Sequence, residues 1–275
     1  METGICHNIV IYNSQLIEKS DINFDNFNDG TVVYEIIRVI NGIPLFLEDH
    51  VMRLYYSANI AGFSIGISDS EISNSIRQLS TENQCLNGNI KVLFHYKKNQ
   101  KVSFICYFTK HNYPSVLQYK NGVEVLLYSA ERDNPNAKIA NDDFRETLDD
   151  IIIKEKVYEL LLVNKNGWIT EGSKSNVFFI KDNLLITAPI RMVLPGITRK
   201  FVIKAARLSG LEISEDCVNK KNIGQYNAAF ISGTSPQILP ISSINNIRFD
   251  VNNSIIRKLM NSYEEEVENY IYDFS

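Results

Sequence analysis

Ten consecutive residues, Thr31 to Ile40 (TVVYEIIRVI), constrain this chain more than any other stretch. β-branched and aromatic residues dominate the run, and Asn41–Gly42 follows it directly. The run reads as a strand. Asn-Gly supplies the left-handed backbone of a two-residue hairpin turn, after which Ile43–Leu47 resumes the apolar pattern. A strand of this kind needs sheet partners, and the sequence offers them. Gly88–Tyr96 and Val102–Thr109, joined by the polar stretch Lys97–Lys101, have the same composition. Val123–Ser129, Tyr158–Val163, Trp168–Thr170, Val177–Ile180, Leu184–Thr187 and Ala228–Ser232 read as further short strands. Between them lie helical patterns at Glu48–Ile60, Asp69–Leu79, Ala140–Lys154, Arg199–Leu208 and Ser254–Tyr270. Thr198 is placed to cap the fourth of these. His111–Asn121, with Pro114 and little periodicity, reads as a connection between a small N-terminal domain (1–115) and a larger C-terminal one (116–275). Short strands mixed with scattered helices predict an α+β protein of two domains rather than one doubly wound sheet.

Composition narrows the function classes. The 275 residues carry a net charge of -4, which argues against nucleic acid as the main partner. No segment has the roughly 18 apolar residues of a membrane span, and Met1–Val10 lacks the pattern of a signal peptide. Cys6, Cys85, Cys106 and Cys217 form no C-x-x-C pair and read as reduced core thiols. His7, His50, His95 and His111 fall in no metal-ligand pattern, so no metal is expected. The expectation is a cytoplasmic protein.

The familiar nucleotide-binding and hydrolase motifs are absent. In their place are turns suited to an anion. Leu194-Pro195-Gly196-Ile197-Thr198-Arg199 leads straight into a helix, so that Gly196 permits a sharp turn and the amides of Ile197 and Thr198 point outward at the positive end of the helix dipole. Gly233-Thr234-Ser235-Pro236 follows an apolar strand and offers more amides and hydroxyls. Either turn taken alone reads as a capped helix start or an ordinary turn. Lys138, in Asn134-Pro135-Asn136-Ala137-Lys138, would ordinarily be a solvated surface group. Glu171 stands at a strand end before small polar residues; such an acid reads as a helix cap or surface group, but a small-residue loop between apolar strands is also where a carboxylate can face a cavity.

Together these residues resemble the class IV, fold-type IV family of pyridoxal-phosphate enzymes. That family includes branched-chain aminotransferases, D-amino acid aminotransferases and 4-amino-4-deoxychorismate lyases. The resemblance runs from about Asp29 to about Pro240. It rests on GTVVYEIIR (30–38), EDHVMRLYYSA (48–58), NPNAK (134–138), TEGSKSNVFFI (170–180) with LPGITR (194–199), and FISGTSP (230–236), in the family's order. It implies that Lys138 forms the internal aldimine with pyridoxal 5'-phosphate and that Glu171 pairs with the pyridine nitrogen. Arg53 is implied as a phosphate ligand, with Gly196, Ile197 and Thr198 as one phosphate turn and Thr234 and Ser235 as the other. Tyr34 is implied at the substrate pocket. The implied activity moves an amino group between an amino acid, branched-chain among the options, and a 2-oxo acid. The alternatives are the lyase reaction and a non-catalytic cofactor-binding protein. An active site between the domains of a homodimer is also implied.

Two departures concern the substrate. No tyrosine follows Lys138 to bond the cofactor's phenolic oxygen; Asn141 or Arg145 could take its place. The strand on which the D-amino acid enzymes carry an arginine for the substrate carboxylate offers Lys91 and His95 here. Arg38 and Arg132 are alternative carboxylate partners, or members of ordinary salt bridges.

Overall fold

The computed structural model describes residues 4–27, 29–98 and 100–274. Asn99, within the polar connection expected at 97–101, lies outside the described residues. The chain divides into two compact units. The first takes residues up to Asn112, the short segment Ala137–Ala140 and the C-terminal stretch from Asn269; the second takes Tyr113–Asn136 and Asn141–Glu268.

In the first unit, strands β1 (Ile9–Tyr12), β2 (Gln15–Glu18), β3 (Thr31–Ile40), β4 (Ile43–Pro44), β5 (Gly88–Tyr96) and β6 (Ser103–Thr109) form an antiparallel sheet in the order β2-β1-β6-β5-β3-β4. The Asn41–Gly42 hairpin closes as its sequence demands. Both residues have positive φ, and Ile40 faces Ile43 across the turn. The returning strand stops at Pro44, because Phe46 turns left-handed and starts helix α1 (Leu47–Ile60). Helices α1 and α2 (Asp69–Glu82) bury Val51, Leu54, Ala58, Ile72, Ile76 and Leu79 with the β3, β5 and β6 residues Val33, Ile37, Val92 and Phe104 in one core. Helix α2 begins with a Ser68/Glu71 capping box.

The second unit starts with α3 (Val116–Asn121). This is a correction, because 111–121 read as an irregular connection. Six residues are too few to display a helical period, yet the Ser115/Gln118 capping box and Gly122 (φ +72) bracket the helix. There follow β7 (Val123–Ser129), α4 (Asp142–Glu155), β8 (Glu159–Val163), β9 (Trp168–Gly172), β10 (Asn176–Lys181), β11 (Leu184–Thr187), α5 (Ile197–Leu208), β12 (Glu212–Ser214), β13 (Val218–Asn219), β14 (Ala228–Gly233), β15 (Gln237–Ile244), β16 (Ile247–Arg248) and α6 (Ser254–Phe274). Its sheet runs β12-β11-β10-β14-β15-β7-β8-β9-β13, with β16 on β15. Most pairs are antiparallel; β11–β12, β15–β7 and β7–β8 are parallel. Val125, Leu161, Val177, Phe179, Ile231 and Leu239 fill the core of this sheet. The mixed sheets are α+β, as the sequence predicts.

The cysteines are all free, but only Cys106 is a buried core thiol; Cys6 is exposed and Cys85 and Cys217 are half-buried. Among the described residues no helix is long and apolar enough to cross a membrane.

Candidate active site

In the first unit, Lys138 projects from a backbone held on both sides. Its N–H donates to Ser57 Oγ on α1 (3.0 Å), and its carbonyl accepts from the Tyr34 N–H on β3 (3.1 Å). Ile139 bridges Val33, and the Ala140 N–H reaches the Val32 carbonyl, so 138–140 runs along β3 like a short added strand. The Lys138 ammonium lies 5.5 Å from the centre of the Tyr34 ring, and Lys91 lies 4.8 Å from the same ring. These cation–π contacts place both expected substrate residues, Tyr34 and Lys91, on the sheet face beside the lysine. Arg38 stands four residues beyond Tyr34 on that face, opposite Asn89. His95 lies on the same face, opposite Val32, but is engaged there: it is buried, its Nε2 lies 2.6 Å from the Asp29 carbonyl, and its ring meets the edge of Phe27.

On the opposite face, Glu35 is 0% exposed and gathers two partners from α1. Arg53 donates through Nε to Oε1 and through Nη2 to Oε2, both at 2.7 Å, and His50 Nδ1 lies 2.7 Å from Oε2. Burial alone would push the Glu35 carboxyl up. The charges of Arg53 and Lys138, with the hydrogen bonds from Arg53 and His50, outweigh burial and hold it well below the usual carboxylate range. Burial drives the His50 imidazole down, more than Glu35 raises it. His50 is therefore a neutral donor to Glu35 rather than an ion-pair partner. The spacing of α1 shows its apolar face but not that His50 and Arg53 share it. The acid that allows this lies on another element.

In the second unit, Glu171 is the fourth of the five residues of β9, near the strand end expected from the sequence, and it is 3% exposed. Arg132 Nη1 donates to Oε1 (3.1 Å) and the Leu194 N–H to Oε2 (2.9 Å). Arg132, weighed as a substrate partner, is thus bound to Glu171. Burial raises the Glu171 carboxyl, and Arg132 and the Leu194 amide offset this only in part. A second buried carboxylate, Glu159, was not expected. It accepts from the Lys174 N–H and the Ser175 hydroxyl and shapes the loop between β9 and β10. Burial raises its carboxyl as well.

The turn 194–196 runs from the Glu171 carboxylate to the start of α5. Asn176 Nδ2 donates to the Leu194 carbonyl (3.0 Å). Helix α5 begins at Ile197, two residues earlier than expected, with Gly196 and not Thr198 as its cap. Glycine offers no side-chain acceptor, so no cap bond engages the first-turn amides, and that turn contains no acidic residue. Thr198 is buried inside the first turn. Next to Asn176 in the sheet, Ser232 Oγ is buried with no hydrogen-bond partner. Thr234, Ser235 and Pro236 form the tight connection between β14 and β15. Asn141 is occupied as the α4 cap, and Arg145 donates to the Ser173 carbonyl.

In the second unit, a glycine-capped helix start with uncapped amides, a neighbouring buried hydroxyl and a buried acid suit the phosphate and ring nitrogen of pyridoxal phosphate; in the first, a lysine held at both its amide and its carbonyl suits the aldehyde.

Comparisons with known proteins agree. A family model described as amino-transferase class IV matches residues 32–244. D-alanine aminotransferase of Bacillus licheniformis is 30% identical over 261 residues, covering 86% of this chain and 88% of the relative. Branched-chain-amino-acid aminotransferase of Escherichia coli K12 is 28% identical over 240 residues, 80% of this chain and 78% of the relative. The crystal structure of an E. coli branched-chain amino acid aminotransferase superposes with a TM-score of 0.86 at 21% identity, covering 95% of each chain, which shows the shared fold. These relatives are transaminases and do not favour the lyase alternative. The chain belongs to the class IV aminotransferases, enzymes of fold type IV, and its activity is amino-group transfer.

Proposed function

We propose that this enzyme uses pyridoxal 5'-phosphate to exchange an amino group between an amino acid and a 2-oxo acid, with Lys138 as its catalytic residue. The observation that carries this reading is Glu171, a buried carboxylate held at one oxygen by Arg132 and at the other by the Leu194 amide. A protonated ring nitrogen would be a further charged donor to this carboxylate. Bound pyridoxal phosphate supplies an aldehyde that captures the amino group and an electron sink for the α-carbon. Lys138 is the residue that would carry the aldehyde, and its amine, in the neutral form, would move the substrate's α-proton. Arg53, the amides of Ile197 and Thr198, and the hydroxyls of Thr198, Thr234 and Ser235 hold the phosphate, with Gly196 allowing its close approach. Tyr34, Lys91, Arg38 and His95 are proposed to shape the substrate side. The family resemblance further supports a homodimer, and the composition a cytoplasmic location.

Two measurements test this reading. Borohydride reduction followed by peptide mapping should find the pyridoxyl group on Lys138. The Lys138→Ala variant should lose roughly 10²–10⁴-fold in turnover on every substrate. Full turnover in that variant, or an adduct at another residue, overturns the assignment. Because relatives named for D-alanine and for branched-chain amino acids both match, the substrate screen should include L- and D-amino acids. The spectral change to the amino form of the cofactor identifies which are accepted.

A further inference from the structure

Glu35 has no role in the steps above, yet it is the most deeply buried charge of the first unit. Its two oxygens accept from both Nε and Nη2 of Arg53, a fork that fixes the plane of the guanidinium. The same contact ties β3 to α1. Those two elements are the ones that grip Lys138: Tyr34, beside Glu35 on β3, holds its carbonyl, and Ser57, one turn beyond Arg53 on α1, holds its amide. One carboxylate therefore joins the elements that carry the phosphate arginine and the lysine.

We propose that Glu35, seated by His50, is a positioning residue of the transamination reaction. It holds Arg53 in one orientation and fixes the backbone from which Lys138 projects. This rests on the assignment of Lys138 and Arg53 to the cofactor. The charges around it support a second consequence. His50 and Arg53 face Glu35 from α1, and Lys138 acts on it from the 137–140 segment. Tyr34, Lys91 and Tyr107 lie on the other face of the sheet. Glu35 is the anion in this group. It favours the protonated state at Lys138 and balances Arg53.

The test uses holoenzyme carrying Glu35→Gln, which removes the charge and keeps the shape, and Glu35→Asp, which keeps the charge and shortens the reach. Two quantities are read: affinity for pyridoxal phosphate, and the pH midpoint of the bound cofactor's absorbance. Glu35→Gln should lower the midpoint by about one unit and weaken cofactor binding by about tenfold. Glu35→Asp should weaken binding while moving the midpoint little. A folded Glu35→Gln variant with wild-type affinity and midpoint overturns the proposal. If that variant does not fold, wild-type affinity in Glu35→Asp overturns it equally. Peptide mapping of the wild-type protein separates the two possible failures. No adduct on Lys138 defeats the cofactor assignment itself, whereas an adduct there with indifferent Glu35 variants defeats only the positioning role.

Discussion

A methyl group added at Gly196 would collide with Asn176 Oδ1 and sit 3.3 Å from Arg199 Cβ. The backbone there (φ -63, ψ 135) suits any residue, so the requirement for glycine is one of space rather than conformation. Gly196→Ala must displace Asn176, and with it the bond from Asn176 to the Leu194 carbonyl. The expected cost is about 1–3 kcal/mol of stability, read by denaturant unfolding of the apoprotein. Cofactor affinity should fall as well, because the same turn presents the Ile197 and Thr198 amides. An Ala variant with unchanged affinity would show that these amides do not hold the phosphate. This glycine was legible in the sequence as part of an anion-ready turn. Its neighbour Asn176 was not, because a single Asn at the start of an apolar strand carries no local signal. Glu35 was hidden for a related reason. Within TVVYEIIRVI it looks like the polar member of a strand alternation, and only the α1 face shows that it points inward.

The start of helix α1 is unusual among the elements. Phe46 precedes it in a left-handed conformation and offers no side-chain cap. The Leu47 N–H instead donates to the hydroxyl of Tyr270 (3.1 Å), which donates in turn to Glu48 (2.8 Å), while the Tyr270 and Phe46 rings lie 4.9 Å apart. A residue near the C-terminus thus caps the helix that carries His50, Arg53 and Ser57. Tyr270→Phe keeps the ring contact and removes both hydrogen bonds, and should cost about 0.5–2 kcal/mol. Tyr272, 84% exposed, is the control. Equal melting temperatures for Tyr270→Phe and Tyr272→Phe would rule out the cap. The helix itself was readable from Val51, Leu54 and Ala58. Its cap was not, since capping patterns are sought within a few residues and this one comes from the far end of the chain. The late start assigned to α5 has a similar origin. Thr198 looked like a cap from composition, whereas the close approach of Asn176 makes Gly196 the residue that fits.

Across the whole molecule, the buried carboxylates pull in opposite directions with pH. Glu35, in the first unit, is held below its ordinary value. Its contribution to stability is present above the carboxylate range of an unfolded chain and is lost as pH falls toward the folded value. Glu159 and Glu171, in the second unit, are raised by burial. The unfolded chain releases those two protons more readily than the folded one. Their ionisation therefore disfavours the fold as pH rises through the window between the unfolded and folded values, and protonation below that window relieves the penalty. Acidification of the apoprotein should thus weaken the first unit while easing the buried charge of the second. Hydrogen exchange followed at decreasing pH should show amides of β3 and α1 losing protection before those of β8, β9 and β10. Glu35→Gln should flatten the acid limb for the first unit only. Simultaneous loss of protection in both units, unaffected by Glu35→Gln, would mean that these three carboxylates do not set the acid limit. Bound cofactor should add a further asymmetry. A cationic ring nitrogen beside Glu171 would return that carboxyl toward its ordinary value, so the second unit of the holoenzyme should gain most at neutral pH, where the apoprotein has only Arg132 and the Leu194 amide to offset the buried charge.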